Sequence, residues 1–150
     1  MRVVIQRVSR AEVRVEQQVE GRIGPGIVAL IGIAATDTQK DADYLADKLI
    51  HLRIFSDEAG KMNLSAMDTG AGLLLISQFT LYGDCRKGRR PGFDAAAPPE
   101  RAREFYLYFV ERVRQSGLTT QTGVFQAHME VELTNDGPVT FLLESPAPLY

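Results

Sequence analysis

Met1 to Ser9 opens the chain as a strand with charges set among its apolar residues. Val13 and Val15 then alternate with Arg14 and Glu16, and Val19 to Ile23 follows the polar step Gln17-Gln18. Successive strand side chains point to opposite faces, so this alternation around a short polar step predicts a hairpin. Gly24-Pro25-Gly26 breaks the chain before Ile27 to Ile33, an apolar run of the buried-strand type.

The period changes after Asp37. Ala42, Leu45, Ala46, Leu49 and Leu52 recur at helical spacing and share one face of a helix that Asp37 or Thr38 can cap. A polar turn at Ser56 to Lys61 closes that region. Gly70-Ala71-Gly72 opens a second buried strand, Leu73 to Ser77, which runs into Gln78-Phe79-Thr80-Leu81. The connection Gly83 to Ala97 is long for a compact domain, and such loops are often functional. Pro98 and Pro99 suit the first turn of a helix, where a missing N–H does no harm. Ala102, Phe105, Tyr106, Phe109 and Val113 form its inner face, and Gly117 stops it. Met129 to Thr134 and Val139 to Glu144 read as two final strands around the turn Asn135-Asp136-Gly137-Pro138, before an irregular tail, Ser145 to Tyr150. The order predicts an α/β chain of mixed α+β type: one domain over residues 1–150, with mixed β-sheets and two main helices in β/β/α layers.

Composition narrows the setting. The longest apolar stretches, such as Ile27 to Ala35, are too short to span a bilayer, so no membrane is expected. The opening residues lack a signal peptide's apolar core. Cys85 is the only cysteine, which rules out an internal disulfide and suits a reducing compartment; the cytoplasm is the expected location. A net charge of −2 argues against a protein that coats nucleic acid non-specifically. The basic residues are instead local, in Arg86-Lys87-Gly88-Arg89-Arg90, a run that reads as a solvated loop or as one phosphate-facing patch.

The usual catalytic inventory is nearly empty. His51 and His128 stand in no metal-binding spacing, and no cofactor or metal is expected. His51, late in the first helix, reads as a half-exposed structural histidine near the C-terminal dipole. There is no G-x-S-x-G elbow, no P-loop, and no G-x-G-x-x-G after an early strand. Ser77, Thr80 and Cys85 are candidate nucleophiles without a base marked for them in sequence. On pattern alone, Ser77 and Thr80 are strand-end hydroxyls that bond to backbone.

Two segments change this balance. Ser77-Gln78-Phe79-Thr80-Leu81 and Asn135-Asp136-Gly137-Pro138-Val139-Thr140 together resemble the paired signature motifs of the D-aminoacyl-tRNA deacylase family. The resemblance extends through Val4-Ile5-Gln6-Arg7-Val8, Arg53-Ile54-Phe55-Ser56-Asp57, Gly60-Lys61-Met62-Asn63-Leu64, Arg90-Pro91-Gly92-Phe93 and Thr120-Gln121-Thr122-Gly123. Each is weak alone; in order and at family spacing they are specific. Gly92, where that pattern often has serine, departs from it.

The resemblance implies a homodimer with active sites at the subunit interface and aminoacyl-tRNA as substrate. Ser77, Gln78, Phe79 and Thr80 would line the pocket and offer backbone N–H groups to the ester oxyanion, with no side-chain nucleophile and with help from the ribose 2′-hydroxyl. Gly137-Pro138 would be a cis peptide that reaches the partner's pocket and excludes L-amino acids. By itself the same step reads as a plain hairpin turn. Glycine, lacking a side chain, would pass the same filter, so glycyl-tRNA mischarged on the alanine tRNA is an expected substrate. Arg86, Lys87, Arg89 and Arg90 would contact tRNA phosphates. Two other classes remain: a non-catalytic nucleic-acid-binding module using the basic run beside Phe79, Tyr82 and Phe93, and a general esterase using Thr80 or Cys85.

Overall fold

β1 (Arg2–Val15) is the strand on which the rest is assembled in the computed structural model, which describes residues 1–146. On one edge it pairs antiparallel with β2 (Gln18–Ile23) through its second half and with β3 (Gly26–Gly32) through its first. On its other edge lies β8 (Glu130–Glu144), antiparallel over nearly the full length. β6 (Gly72–Ser77) runs parallel to β3, and β7 (Thr120–Thr122) runs parallel to β6. Parallel neighbours need crossovers, and the helices supply them. α1 (Gln39–His51) lies between β3 and β6 in the chain, and α3 (Pro99–Arg114) lies between β6 and β7. A two-stranded piece, β4 (Phe55–Ser56) with β5 (Met62–Leu64), and the single turn α2 (Ala66–Thr69) fill the first crossover.

Both helices pack on one face of the sheet. Leu45 and Leu49 of α1 and Phe109 and Val113 of α3 are fully buried against Val3, Ile5, Ile27 and Leu75. Burial of each such side chain stabilises by about 1.5–3 kcal/mol. β2 returns against β6 and β7, so the sheet curls until nearly closed. A second core forms inside the curl, from Val8, Val13, Ile23, Val28, Leu74 and Ile76. The curled sheet thus supplies two β layers and the helices the third.

The helix ends follow the local chemistry. Thr38, not Asp37, is the N-cap of α1, with its N–H donated to the Asp41 carboxylate at 2.8 Å. Asp37 is buried: Oδ1 accepts from the Met1 amino group and Oδ2 accepts from the Ala34 N–H at 2.7 Å. The first hairpin turns at Glu16-Gln17, both at positive φ, as a two-residue loop requires.

Two strand expectations are corrected. Met1 to Ser9 and the Val13–Val15 stretch belong to one strand, kinked by register shifts on the β8 side. The final hairpin is absent: Met129 to Thr134 and Val139 to Glu144 do not reverse at Asn135-Asp136-Gly137-Pro138. Both halves pair antiparallel with β1, Asn135 opposite Val8 and Thr140 opposite Gln6, so Asp136 to Val139 bulge out of a continuous strand. The reason is a partner long enough to hold both halves, which turn-forming residues cannot reveal. The Gly137-Pro138 peptide is cis. Of the tail, Ser145 and Pro146 carry no regular structure, and residues 147–150 lie outside the described residues.

Candidate active site

β6 ends at Ser77, beside Ile31 of β3, and the Gln78 N–H donates to the Ile31 carbonyl at 2.7 Å. The chain then leaves the sheet as a 3-10 turn, Phe79–Tyr82, in which the Leu81 N–H donates to the Gln78 carbonyl at 3.2 Å. The first amides of a helical turn have no partner within it. Those of Phe79 and Thr80 find no acceptor elsewhere among the described residues. The Gln78 amide is therefore engaged in the sheet, and the open donors belong to the two residues after it.

This turn borders a cavity of about 710 Å³. Ser77, Gln78 and Phe79 form one wall, while Thr80, expected with them, stands outside the lining; Phe93, Ala97, Pro98 and the first turn of α3 (Pro99, Ala102) form another. The segment Phe125 to Met129 closes a third side. The wall is largely apolar, and the exposed rings of Phe79 and Phe93 stand at its mouth with centroids 5.0 Å apart. Sequence reading missed the 125–129 segment. Its one visible signal was adjacency to Thr120-Gln121-Thr122-Gly123, a stretch already tied to the family pattern.

The nucleophile candidates gain no partner of the right kind. Thr80 is exposed, and its hydroxyl accepts a hydrogen bond from the Gln78 side-chain amide, which cannot take a proton. His128 lines the cavity but is exposed and bonds neither Ser77 nor Thr80 among the described residues. His51 stands as expected on the surface, with Nδ1 3.0 Å from the Asp47 carbonyl oxygen. Cys85 is a free, exposed thiol. No group of three or more His, Cys, Asp or Glu gathers as a metal site among the described residues. None of the helices described is long and apolar enough to cross a membrane.

The basic run rises from the cavity rim. A bridge between Asp84 and Gly92 pinches off the loop that carries it, immediately before Phe93. Arg86, Lys87, Arg89 and Arg90 are all exposed, but Arg86 is already engaged: Nε and Nη2 donate to the two Asp84 oxygens at 2.9 and 2.7 Å. That bond holds the Asp84 carboxyl well below the usual carboxylate range.

Gly137 and Pro138 do not join this cavity within one chain. Ser77 stands beside Ile31, which faces Val3 on β1, while the bulge of β8 sits opposite Arg7. Strand rise and spacing along β8-β1-β3-β6 place the two motifs on the order of 20 Å apart. The bulge is held firmly. Asn135 Oδ1 accepts from the Val139 N–H at 2.7 Å, and its Nδ2 donates to the Val139 carbonyl at 3.2 Å. Arg7, largely buried, donates from Nε to the Asp136 carbonyl at 2.9 Å and from Nη1 to the Ile54 carbonyl at 2.7 Å. Gly137 and Pro138 are left exposed at the crest.

Known proteins resemble this chain over almost all of it. The family described as D-Tyr-tRNA(Tyr) deacylase matches residues 4–144. A "D-aminoacyl-tRNA deacylase" from Koribacter versatilis is 59% identical over 145 residues, spanning 97% of each chain. The protein of the same description from Clostridioides difficile is 57% identical, again over 97% of both. Among solved structures, a "c-Myc DNA Unwinding Element Binding Protein" superposes with a TM-score of 0.92 at 44% identity, covering 98% of this chain and 100% of the other. A "probable eukaryotic D-amino acid tRNA deacylase" has the same fold, with a TM-score of 0.85 at 17% identity over 95% and 98% of the two chains. A cavity walled by Ser77-Gln78-Phe79, a clasped Gly137-Pro138 bulge and a match over residues 4–144 lead to one assignment: the chain belongs to the D-Tyr-tRNA(Tyr) deacylase family.

Proposed function

We propose that this protein is a hydrolase that cleaves the ester between a D-amino acid and its tRNA and spares the L counterpart. The observation that carries the reading is the pair of open amides, Phe79 and Thr80, beside an apolar cavity with no side chain placed as a base. Water adds to the ester carbonyl, and the amides stabilise the oxyanion that forms. The intermediate collapses, the bond to the ribose oxygen breaks, and the proton lost by water ends on that oxygen. The neighbouring ribose 2′-hydroxyl serves that transfer. An ester is activated enough for orientation and oxyanion donors to supply the acceleration. A cavity of about 710 Å³ is in the range that takes a small ligand, here the terminal adenosine with its amino acid.

Selection belongs to Gly137-Pro138 of a second copy. Within one chain that bulge stands on the order of 20 Å from Ser77, by strand rise and spacing, a separation that supports the two motifs meeting across an interface. β8 is an edge strand that pairs only with β1, and Phe141 and Leu142 near its end are exposed, which supports pairing of this edge with another copy in a homodimer. Backbone carbonyls at the crest would clash with an L side chain, while a D side chain points to solvent. Glycyl-tRNA, with no side chain to exclude, is a further substrate. Lys87, Arg89 and Arg90 face the acceptor-end phosphates from the rim, and Arg86, tied to Asp84, orders the loop that carries them. Residues 1–150 act as one deacylase domain, in the cytoplasm where charged tRNA is found.

The test is incubation with matched D- and L-tyrosyl-tRNA, following ester loss. Loss from the D substrate alone is expected; equal loss from both would remove the chirality claim. A second reading, a nucleic-acid-binding module without catalysis, draws on the name of the 44% identical structural relative. It requires equal binding of charged and uncharged RNA with no amino acid released.

A further inference from the structure

The turn that presents the Phe79 and Thr80 amides is short and lies outside the sheet, so its position depends on what holds its far end. That end rests on the pair formed by Arg2 of β1 and Gly32 of β3, which face each other across the ladder. A Cβ at Gly32 would lie 2.9 Å from Leu81 Cβ, 3.2 Å from the Gln78 carbonyl oxygen and 3.3 Å from the Tyr82 ring. Only a residue without a side chain lets the turn sit down on the end of β3. Arg2 then reaches over it. Its Nη1 donates to the Leu81 carbonyl at 3.0 Å, and its guanidinium carbon lies 4.7 Å from the centroid of the Tyr82 ring. Its Nε donates to Glu144 Oε1 at 2.7 Å, and Glu144 is also its ladder partner on β8.

We propose that Arg2 is a positioning residue for deacylation: seated beside Gly32 and steadied by Glu144, it fixes Leu81 and Tyr82 and so aims the Phe79 and Thr80 amides. The transmission is short. The Leu81 N–H holds the Gln78 carbonyl, and the Gly83 N–H holds the Thr80 carbonyl at 2.9 Å, so a shift at Leu81 tilts the peptides between them. Burial raises the Tyr82 phenol well above its usual range, so the ring under Arg2 stays neutral at physiological pH. The Arg2–Glu144 pair is itself substantially exposed, and exposed pairs contribute little to global stability. Removal of Arg2 is therefore expected to leave a folded protein with a misaimed turn.

This inference rests on the proposed hydrolysis, and the experiment separates the two. Single-turnover ester loss from D-tyrosyl-tRNA, affinity for uncharged tRNA, melting temperature and amide exchange at Leu81 and Gly83 are measured for wild type, Arg2→Ala, Arg2→Lys, Glu144→Gln, Tyr82→Leu and the Arg2→Ala/Tyr82→Leu double variant. Arg2→Ala should slow the chemical step on the order of tenfold, the effect of losing one charge-assisted hydrogen bond that aims the turn, with tRNA affinity unchanged. Arg2→Lys should restore part of the rate, and Glu144→Gln should lose less than Arg2→Ala. The double variant should be no slower than the slower single one, since both changes break one contact chain. Exchange at Leu81 and Gly83 should quicken in Arg2→Ala. An unchanged rate, multiplying losses in the double variant, or a rate loss matched by equal losses of affinity and melting temperature would overturn the proposal. If wild type fails to cleave D-tyrosyl-tRNA, the functional reading falls. Amide exchange then still decides whether Arg2 holds the turn.

Discussion

Phe79 and Phe93 meet with ring centroids 5.0 Å apart and planes tilted by 57°, joining the start of the 3-10 turn to the end of the basic loop. Tilted aromatic pairs contribute about 0.5–1.5 kcal/mol beyond their buried area. The pair frames the cavity mouth, so its loss is felt in substrate capture. Phe93→Ala should raise KM for D-tyrosyl-tRNA by roughly 2- to 12-fold, with kcat nearly unchanged. Steady-state kinetics checks this, and a fall in kcat alone would contradict it.

Arg7 holds the bulge that carries Gly137 and Pro138 through the Asp136 carbonyl. Hydrogen bonds to charged groups contribute about 1.5–3 kcal/mol each. Arg7→Ala should therefore lower the D-over-L preference by about tenfold or more. Paired deacylation assays with D- and L-tyrosyl-tRNA measure it. An unchanged ratio would remove the bulge from substrate selection.

Gly137 has φ +153°, and a Cβ there would meet Val139 Cγ2 at 2.6 Å. Gly137→Ala should depress D-substrate turnover by on the order of tenfold or more, through strain and crowding at the crest. Activity equal to wild type would count against a close approach of this backbone to the substrate.

Thr80→Ala, Cys85→Ala and His128→Ala should each retain activity within about threefold of wild type, because none is bonded as nucleophile or base. tRNA ending in 2′-deoxyadenosine should bind but turn over poorly. A covalent aminoacyl-enzyme on Thr80, or normal turnover of the deoxy substrate, would reverse the chemistry argued above.

In the basic loop, Arg86 and its neighbours should part ways. Neutralising Lys87 and Arg89 should flatten the salt dependence of tRNA binding by a log–log slope of about 1–2. Arg86→Gln should loosen the loop and leave the slope nearly intact, since Asp84 already balances that charge. The depressed Asp84 carboxyl works in one direction: its contribution is present above the ordinary carboxylate range and is lost only as pH falls through the lower folded-state value. The Arg86 amide, which donates to Asp84 Oδ1 at 3.0 Å, should thus keep its NMR shift from neutral pH down to about 5, all above the ordinary carboxylate pKa, and move in Asp84→Asn at every pH.

Local chemistry was legible in the sequence wherever one element decides its own form. The 3.6-residue pattern from Ala42 to Leu49 and from Ala102 to Val113 fixed both helices, with Thr38 and Pro99 at their starts; Leu52, counted with the first helix, is its extended C-cap, and the second stops at Arg114, before Gly117. Apolar runs identified β3 and β6, because strands buried on both faces carry no polar alternation. Only the family resemblance singled out Ser77-Gln78-Phe79-Thr80 and Gly137-Pro138, which local pattern reads as strand-end hydroxyls and a plain turn. Tertiary structure decided the rest. Asn135 to Pro138 have the residues of a hairpin turn, but β1 is long enough to pair on both sides of them, so the ladder overrode the turn and made a bulge. The segment Phe125 to Met129 reached the cavity only because β7 returns beside β6, a pairing across some fifty residues that no local period encodes. Arg2 came to rest on Leu81 and Tyr82 for the same reason: strand register, set by burial of alternating faces, brings distant residues together.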